Sequence, residues 1–434
     1  MTALESPLSD AADPVLLRHR HLERIAMTAL RAGRLLLESG VKALVVHEGM
    51  TRVARGLGAD AVHIRVGYAS LAITVGSGAN TITRMTGVGP HGVNLRRNHA
   101  LRQVVGRIGR GASTADEAQA ALDAVERDTG RYPWPLVALA AGIACAAFGR
   151  LLGVDWLAVG PVLAAGAIGQ GVRHHLAGRG VNAYVVAAVV AFIAALLAAA
   201  ASLGLGSGMP ETAMIAAVLM LVPGVHALNA QTDIMEGLPT LGSARAVSVG
   251  MMLVFLTVGV WVAQVTLGMT EPGTMLAVDR PMWHQALFGA VAAGAFGVLF
   301  NFGVATILWA GAAGALALSV RTLGLDAGWS LEAASFAAAA AVAVCVQALD
   351  LIPGGFRRGG NTLAVAGCIP MIPGSAAAHA IMGLMELTLP DIVEPDRVLL
   401  GTVPYALRVV FTIGAIGAGL TIVTALLRRP DFPK

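Results

Sequence analysis

From Val15 to Leu57 apolar residues recur at helical spacing, with a break at Gly40, so the pattern predicts two helices. The period then changes. Residues 61–75 (AVHIRVGYASLAITV) are β-branched and partly alternating, which predicts two strands; TITRM, after the turn residues Gly76, Gly78 and Asn80, predicts a third. Two more helices follow, the second opened by Ser113 or Thr114 as N-cap, with Asp116 and Glu117 in its first turn. The stretch RDTGRYPWP leads onward, with Tyr132 and Trp134 suited to a membrane–water interface. The reading so far is a lead at 1–14, whose Pro, Asp and Ser content predicts disorder, and an α/β domain at 15–132.

Beyond residue 132 the polar interruptions thin out. A helix needs about 20 mainly apolar residues to cross the hydrocarbon core. By that measure spans are expected near 133–153, 156–171, 181–204, 210–228 and 244–268, then near 282–300, 303–320, 331–349, 362–384 and 402–427. The two sets repeat each other. AFG at 147–149 recurs at 295–297 and AAGA at 164–167 recurs at 312–315, both 148 residues on. LVPG at 221–224 matches MIPG at 371–374, and Met235-Glu236 matches Met385-Glu386, both 150 residues on. An odd number of spans per half makes the second half start on the opposite face. The predicted fold class is an α-helical polytopic membrane protein of about ten transmembrane helices. They form two inverted five-helix repeats, 133–268 and 282–427, preceded by the small α/β cytoplasmic domain.

Composition agrees with this division. Hydrophobic residues make up 56% and charged residues 13%, with mean hydropathy +0.72, far too apolar for a water-facing surface. Residues 1–132 hold 17 Lys+Arg against 12 Asp+Glu, whereas the remainder holds 13 against 14. The basic head is better explained by the positive-inside rule than by nucleic acid, for which no recognition motif is present. With the head inside, Arg173, Arg179, Arg245, Arg357, Arg358, Arg428, Arg429 and Lys434 fall in cytoplasmic loops and tail. Arg150, Arg280, Arg321 and Arg397 fall on the other side. Eight against four predicts a multi-pass protein of the inner (plasma) membrane with N-terminal domain and C-terminus cytoplasmic. The N-terminus lacks the basic and apolar regions of a cleavable signal peptide. Cys145, Cys345 and Cys368 match no disulfide or zinc spacing, so no metal or other cofactor is expected.

The chemistry concentrates in the fourth span of each half. Pro223-Gly224 and Pro373-Gly374 sit near mid-span, where proline removes a backbone donor and glycine tolerates unusual dihedrals. Matching interruptions in two halves point to a substrate site, although a packing kink is the alternative. His226 and Asn229 follow the first break, and Ser375 and His379 the second, as candidate substrate-binding groups; a structural hydrogen bond would account for either histidine as well. Asp233, Asp350 and Arg408 are candidates for coupling or gating, with helix capping the alternative for Asp350 and snorkelling to the outer interface for Arg408. No HExxH, GxSxG or P-loop occurs, so no catalytic residue is expected and an enzyme is disfavoured. A passive channel built on the same two breaks stays open as a reading.

These residues resemble the threonine/serine exporter family in its single-chain form with an N-terminal soluble domain. The resemblance rests on GRLLLESG (33–40), HEGMTRVARGLG (47–58), TRMTGVGPHGVNL (83–95), LVPGVHALNAQTDIMEG and IPMIPGSAAAHAIMG. It implies proton-coupled export of threonine and serine, with a dicarboxylate such as succinate as the alternative cargo. Where the family is expected to carry a small residue and often an acid after GRLLLESG, this chain has Val41-Lys42. The partners implied are a small amino acid or carboxylate substrate, protons, membrane lipids and, as an open class, a second copy of the chain.

Overall fold

Residues 14–269, 281–349, 360–388, 394–427 and 432 are described in the computed structural model, which divides into two units. The first comprises Met1–Gly92, Ala100–Thr129 and Pro430–Lys434, the second Val93–His99 and Gly130–Arg429. The predicted disordered lead lies, but for Pro14, outside the described residues.

In the first unit, α1 (Pro14–Glu38) and α2 (Ala43–Gly56) occupy the stretch of helical periodicity and meet at a turn where Gly40 takes φ 85°. The three expected strands form one antiparallel sheet in sequence order: β1 (Ala61–Val66), β2 (Ser70–Ser77) and β3 (Asn80–Gly87). Ile64 lies opposite Ile73 and Val75 opposite Ile82. Alternation turns Leu71, Ile73 and Val75 into a core shared with Leu30, Leu36 and Met50. Helix α3 (Leu95–Ile108) follows, in this unit from Ala100 onward, then α4 (Ala115–Asp128), which Arg31 of α1 ties down through Asp123 and Glu126. Gly33 has to be small because Met50 sits against it, and Gly49 because Leu36 and Phe432 do. Phe432 is 1% exposed in this core, with the Arg52 and Arg102 guanidinium groups 5.3 and 5.8 Å from its ring centre.

The second unit is helical: α5 (Trp134–Leu151), α6 (Trp156–Gly178), α7 (Ala183–Gly204), α8 (Pro210–Val218), α9 (Gly224–Met235) and α10 (Pro239–Thr266) come first. They are followed by α11 (Met282–Leu299), α12 (Val304–Asp326), α13 (Leu331–Leu349), α14 (Gly360–Cys368), α15 (Gly374–Glu386) and α16 (Pro395–Leu426). Among the described residues, seven of these are long and apolar enough to cross a membrane singly. Two bent pairs, α8–α9 and α14–α15, raise the number to nine. The expected total of ten included the span at 156–171. Helix α6 is there and 23 residues long, but it is not among the nine; Gln170, Arg173, His174 and His175 lower the hydropathy of its second half. Helix α16 also starts at Pro395, seven residues before the expected 402, because Asp396 and Arg397 extend it as exposed helix.

The two helical hairpins α5–α6 and α11–α12 share internal detail. Gly166 of α6 lies against Cys145, and Gly314 of α12 against Ala293, each pair 148 residues from the other. The turns correspond as well. Gly153 takes φ 97° and Asn301 takes φ 56°, again 148 residues apart. Left-handed backbone suits glycine best and asparagine next. Asn301 is 2% exposed and its amide donates to Asn94 Oδ1 (3.0 Å) and the Gly130 carbonyl (3.1 Å).

The start of α4 gives a stability test. Thr114 Oγ1 accepts from the Glu117 N–H (3.3 Å), and Glu117 Oε2 accepts from the Thr114 N–H (2.8 Å), a closed capping box. The Thr114 backbone, then its side chain, hold the Glu117 carboxyl below its ordinary 4.5. A depressed carboxyl stabilises above its unfolded value and loses that contribution as pH falls through the folded one. Thr114→Ala should destabilise α4 at neutral pH by removing its N-cap, read as faster amide exchange in α4, and the deficit should narrow as pH falls below 4.5. A deficit independent of pH would disprove the coupling.

Candidate functional site

Both mid-span proline pairs interrupt their helices in the same way. After α8, a 3-10 turn (Leu219–Leu221) leads to Val222 at φ −63°, ψ 122° and Pro223 at φ −80°, ψ 58°, where α9 starts. After α14, the turn Ile369–Met371 leads to Ile372 at φ −66°, ψ 128° and Pro373 at φ −79°, ψ 58°, where α15 starts. The bends are 55° and 53°. Each proline is the centre of an inverse γ-turn: the Gly224 N–H donates to the Val222 carbonyl and the Gly374 N–H to the Ile372 carbonyl, both at 2.8 Å. One donor that the lost helical ladder would leave unpaired is thus satisfied in place.

The breaks meet. Gly224 lies against the Ile372 Cδ1 methyl, and a Cβ on Gly374 would come within 3.0 Å of Leu219 Cδ2 and 3.1 Å of Val222 Cγ2. Each half's glycine is packed by the other half's aliphatic residue, a reciprocal contact. Pro223, Gly224, Pro373 and Gly374, with Val222 and Ile372, line one cavity of ≈ 20 Å³. That volume holds roughly one water.

The other candidates are dispersed. His226 and Asn229 are half-buried on α9 and Ser375 is half-buried on α15. His379 is buried; its Nδ1 pairs with the Ser375 carbonyl at 2.8 Å and its ring stacks on Tyr405 at 5.1 Å. The 150-residue offset aligns His379 with Asn229 rather than with His226. Arg408 is exposed on α16, one turn from Tyr405. Asp350 lies outside the described residues.

Asp233 is 0% exposed and accepts from Arg245 Nη1 at 2.6 Å; the Arg245 side chain is 2% exposed. Arg245 was expected among loop charges, as were Arg150, Arg173 and Arg321, yet all four stand inside helices. Arg150 is buried, with its guanidinium 4.1 Å from the Trp156 ring centre and 3.4 Å from His284 Nε2. Arg321 Nη1 donates to the Met371 carbonyl at 3.4 Å, just before the second break. One sequence signal does single out Arg321. Val172-Arg173 and Val320-Arg321 are a further match at the 148-residue offset.

A family model described as a threonine/serine exporter matches residues 27–267, more than half of the chain, and one described as "Threonine/Serine exporter, ThrE" matches 285–426. The Escherichia coli (strain K12) protein named "Probable succinate transporter subunit YjjP" is 26% identical over 245 residues, 55% of this chain and 93% of its own length. The Klebsiella aerogenes protein of the same name is 25% identical over 235 residues, 54% of this chain and 90% of its own. No solved structure matches at a significant level.

Two measurements probe this geometry. Gly224→Ala should destabilise the protein in detergent by about 1–3 kcal/mol through overpacking. Ile372→Val removes the very methyl it would strike, so the double variant should melt above the Gly224→Ala single. Separately, Asp233→Asn or Arg245→Gln should each cost about 3–5 kcal/mol, since each breaks a buried ion pair from one side; Asp233→Leu with Arg245→Met should recover most of it. Additive losses in either pair would rule out the contact.

Proposed function

The chain belongs to the threonine/serine exporter family, and we propose that it is a secondary active exporter of small polar amino acids, threonine and serine, coupled to protons. The observation that carries this reading is the reciprocal contact of the two Pro-Gly breaks. Two interrupted helices of matching geometry, one from each half, are a common way to build a substrate site at mid-membrane. Helices α9 and α15 start at the breaks, and a helix N-terminus favours a carboxylate. Separation of the breaks would widen the cavity from water size to substrate size. Asn229 and His379 then occupy equivalent positions on either side, Ser375 lies one turn before His379, and the Asp233–Arg245 pair acts as a charged latch between α9 and α10.

The halves are read as inverted repeats. Chain topology supports this. The polypeptide leaves the first unit after Thr129 and contributes Phe432 to its core, so the stretch between crosses the membrane an even number of times. Nine candidate spans are an odd number; α6 supplies the tenth, with five in each half. Positive-inside bias then places both termini in the cytoplasm. Asp350 and Arg408 remain proposed for coupling or gating.

A dicarboxylate exporter is the second reading. It is favoured by the two relatives named as subunits of a succinate transporter and by Arg321 beside the second break. Counterflow in proteoliposomes separates the cargoes: unlabelled serine, and not succinate, should compete with labelled threonine. Pro223→Ala or Pro373→Ala should lower flux at least about tenfold with insertion intact, a loss of about 1.4 kcal/mol or more in transport barrier. Full activity in both variants would remove the proposed site.

A further inference from the structure

The two matching hairpins start their second helices differently. Helix α6 is capped by Asp155 (φ −66°, ψ 166°). Its carboxylate accepts from the Ala158 N–H at 2.9 Å, the Ser207 hydroxyl at 2.8 Å and the Gly208 N–H at 3.2 Å. The residue 148 positions on is Gly303, which precedes α12 in nearly the same backbone conformation (φ −67°, ψ 152°) and brings no capping side chain. The Val304 and Ala305 N–H groups find no acceptor among the described residues. The positive end of a 23-residue helix thus lacks the carboxylate that its counterpart carries.

A cavity of ≈ 290 Å³ opens at that point, near the lower end of the roughly 300–1,000 Å³ usual for small-molecule sites. Leu95, Arg96, His99 and residues 303–306 line it, all in the second unit, and no carboxylate is among them. Thr306 stands where the first half has Ala158. It is only 6% exposed, and its hydroxyl has no hydrogen-bond partner among the described residues. Its Oγ1 lies 3.8 Å from where a Cβ on Gly303 would be, so it faces the uncapped position. Arg96 is fixed in place: its guanidinium lies 4.4 Å from the Tyr132 ring centre and Nη2 donates to the Tyr132 hydroxyl at 2.5 Å. That hydroxyl donates in turn to the Phe302 carbonyl at 2.8 Å. Nε and Nη1 of Arg96 have no acceptor among the described residues.

An uncapped helix N-terminus, a guanidinium and a hydroxyl converging on one cavity suit a phosphate. A lipid headgroup or free phosphate could supply it, and the surroundings favour the lipid. Helix α12 is apolar enough to cross a membrane, and the cavity sits at its first turn. Val304 and Leu308, one turn apart on the same face, are exposed and apolar. They suit an acyl chain and offer a free ion nothing.

We propose that Arg96, His99, Thr306 and the N-terminus of α12 bind the phosphate of an anionic membrane phospholipid, which gives α12 the anionic cap that Asp155 gives α6. The site is independent of the cargo.

The test titrates the full chain in detergent with dioleoylphosphatidylglycerol, with dioleoylglycerol, which lacks the phosphate, and with inorganic phosphate. Binding is read as a saturable rise in the thermal midpoint. Only the phosphatidylglycerol should produce it. Thr306→Ala removes a hydrogen bond to a charged group and should weaken the lipid at least about tenfold. Gly303→Asp installs the first-half cap; a Cβ there meets only Thr306 Oγ1, at 3.8 Å, so the variant should fold. Its midpoint without lipid should be no lower than that of the wild type, and its lipid response should disappear. Arg397→Gln, an exposed arginine bridged to Glu394, should respond as the wild type does. An equal response in the wild type, Thr306→Ala and Gly303→Asp, or an equal response to dioleoylglycerol, overturns the site. A rise with inorganic phosphate that the same variants lose overturns the lipid as its occupant.

Discussion

Backbone groups inside hydrocarbon have no water to bond to, so an interrupted helix must find its partners in protein. This constraint shapes the second unit. At each Pro-Gly pair the inverse γ-turn satisfies one glycine N–H on the spot. The two interruptions also pack on each other, Gly224 against Ile372 and Gly374 against Val222. Neither would be tolerable at that depth facing hydrocarbon alone. The bundle around them is correspondingly tight, with α5 and α6 meeting at Gly142 and Gly166, and α11 and α12 at Gly289 and Gly314.

Features set by local chemistry could be read directly from the residues. The period change after Leu57 gave the sheet, Thr114 the start of α4, and Pro223 and Pro373 the two bends. In each case the signal and its consequence lie within a few residues of one another. The meeting of the two breaks was suggested by the repeat, whereas the exclusion of His226, Asn229, Ser375 and His379 from the cavity lining was not. Which face of a short half-helix turns toward a partner depends on a bend of 50° or more, and no periodicity encodes it.

Charge was the harder part. Counting arginines as loop markers treats each as solvated, yet Arg245 is desolvated against Asp233, and Arg150 lies between aromatic rings. A partner twelve residues away in sequence, or on another helix, makes such burial tolerable, and hydropathy averages see only the cost. For the same reason α6 falls short of the hydropathy of its neighbours although its length and its start, capped by Asp155, match a span.

In the N-terminal domain the segments that carry the family resemblance do packing work: Gly33 admits Met50, and Gly49 admits Leu36 and the ring of Phe432. That ring arrives from the far end of the chain. Residues 15–132 produced in isolation would accordingly enclose a vacancy the size of a benzyl group, flanked by the Arg52 and Arg102 guanidinium groups. The domain is best regarded as a fold finished only when the last span has been synthesised, which makes it a late-assembling part of a protein whose ribosome delivers it first.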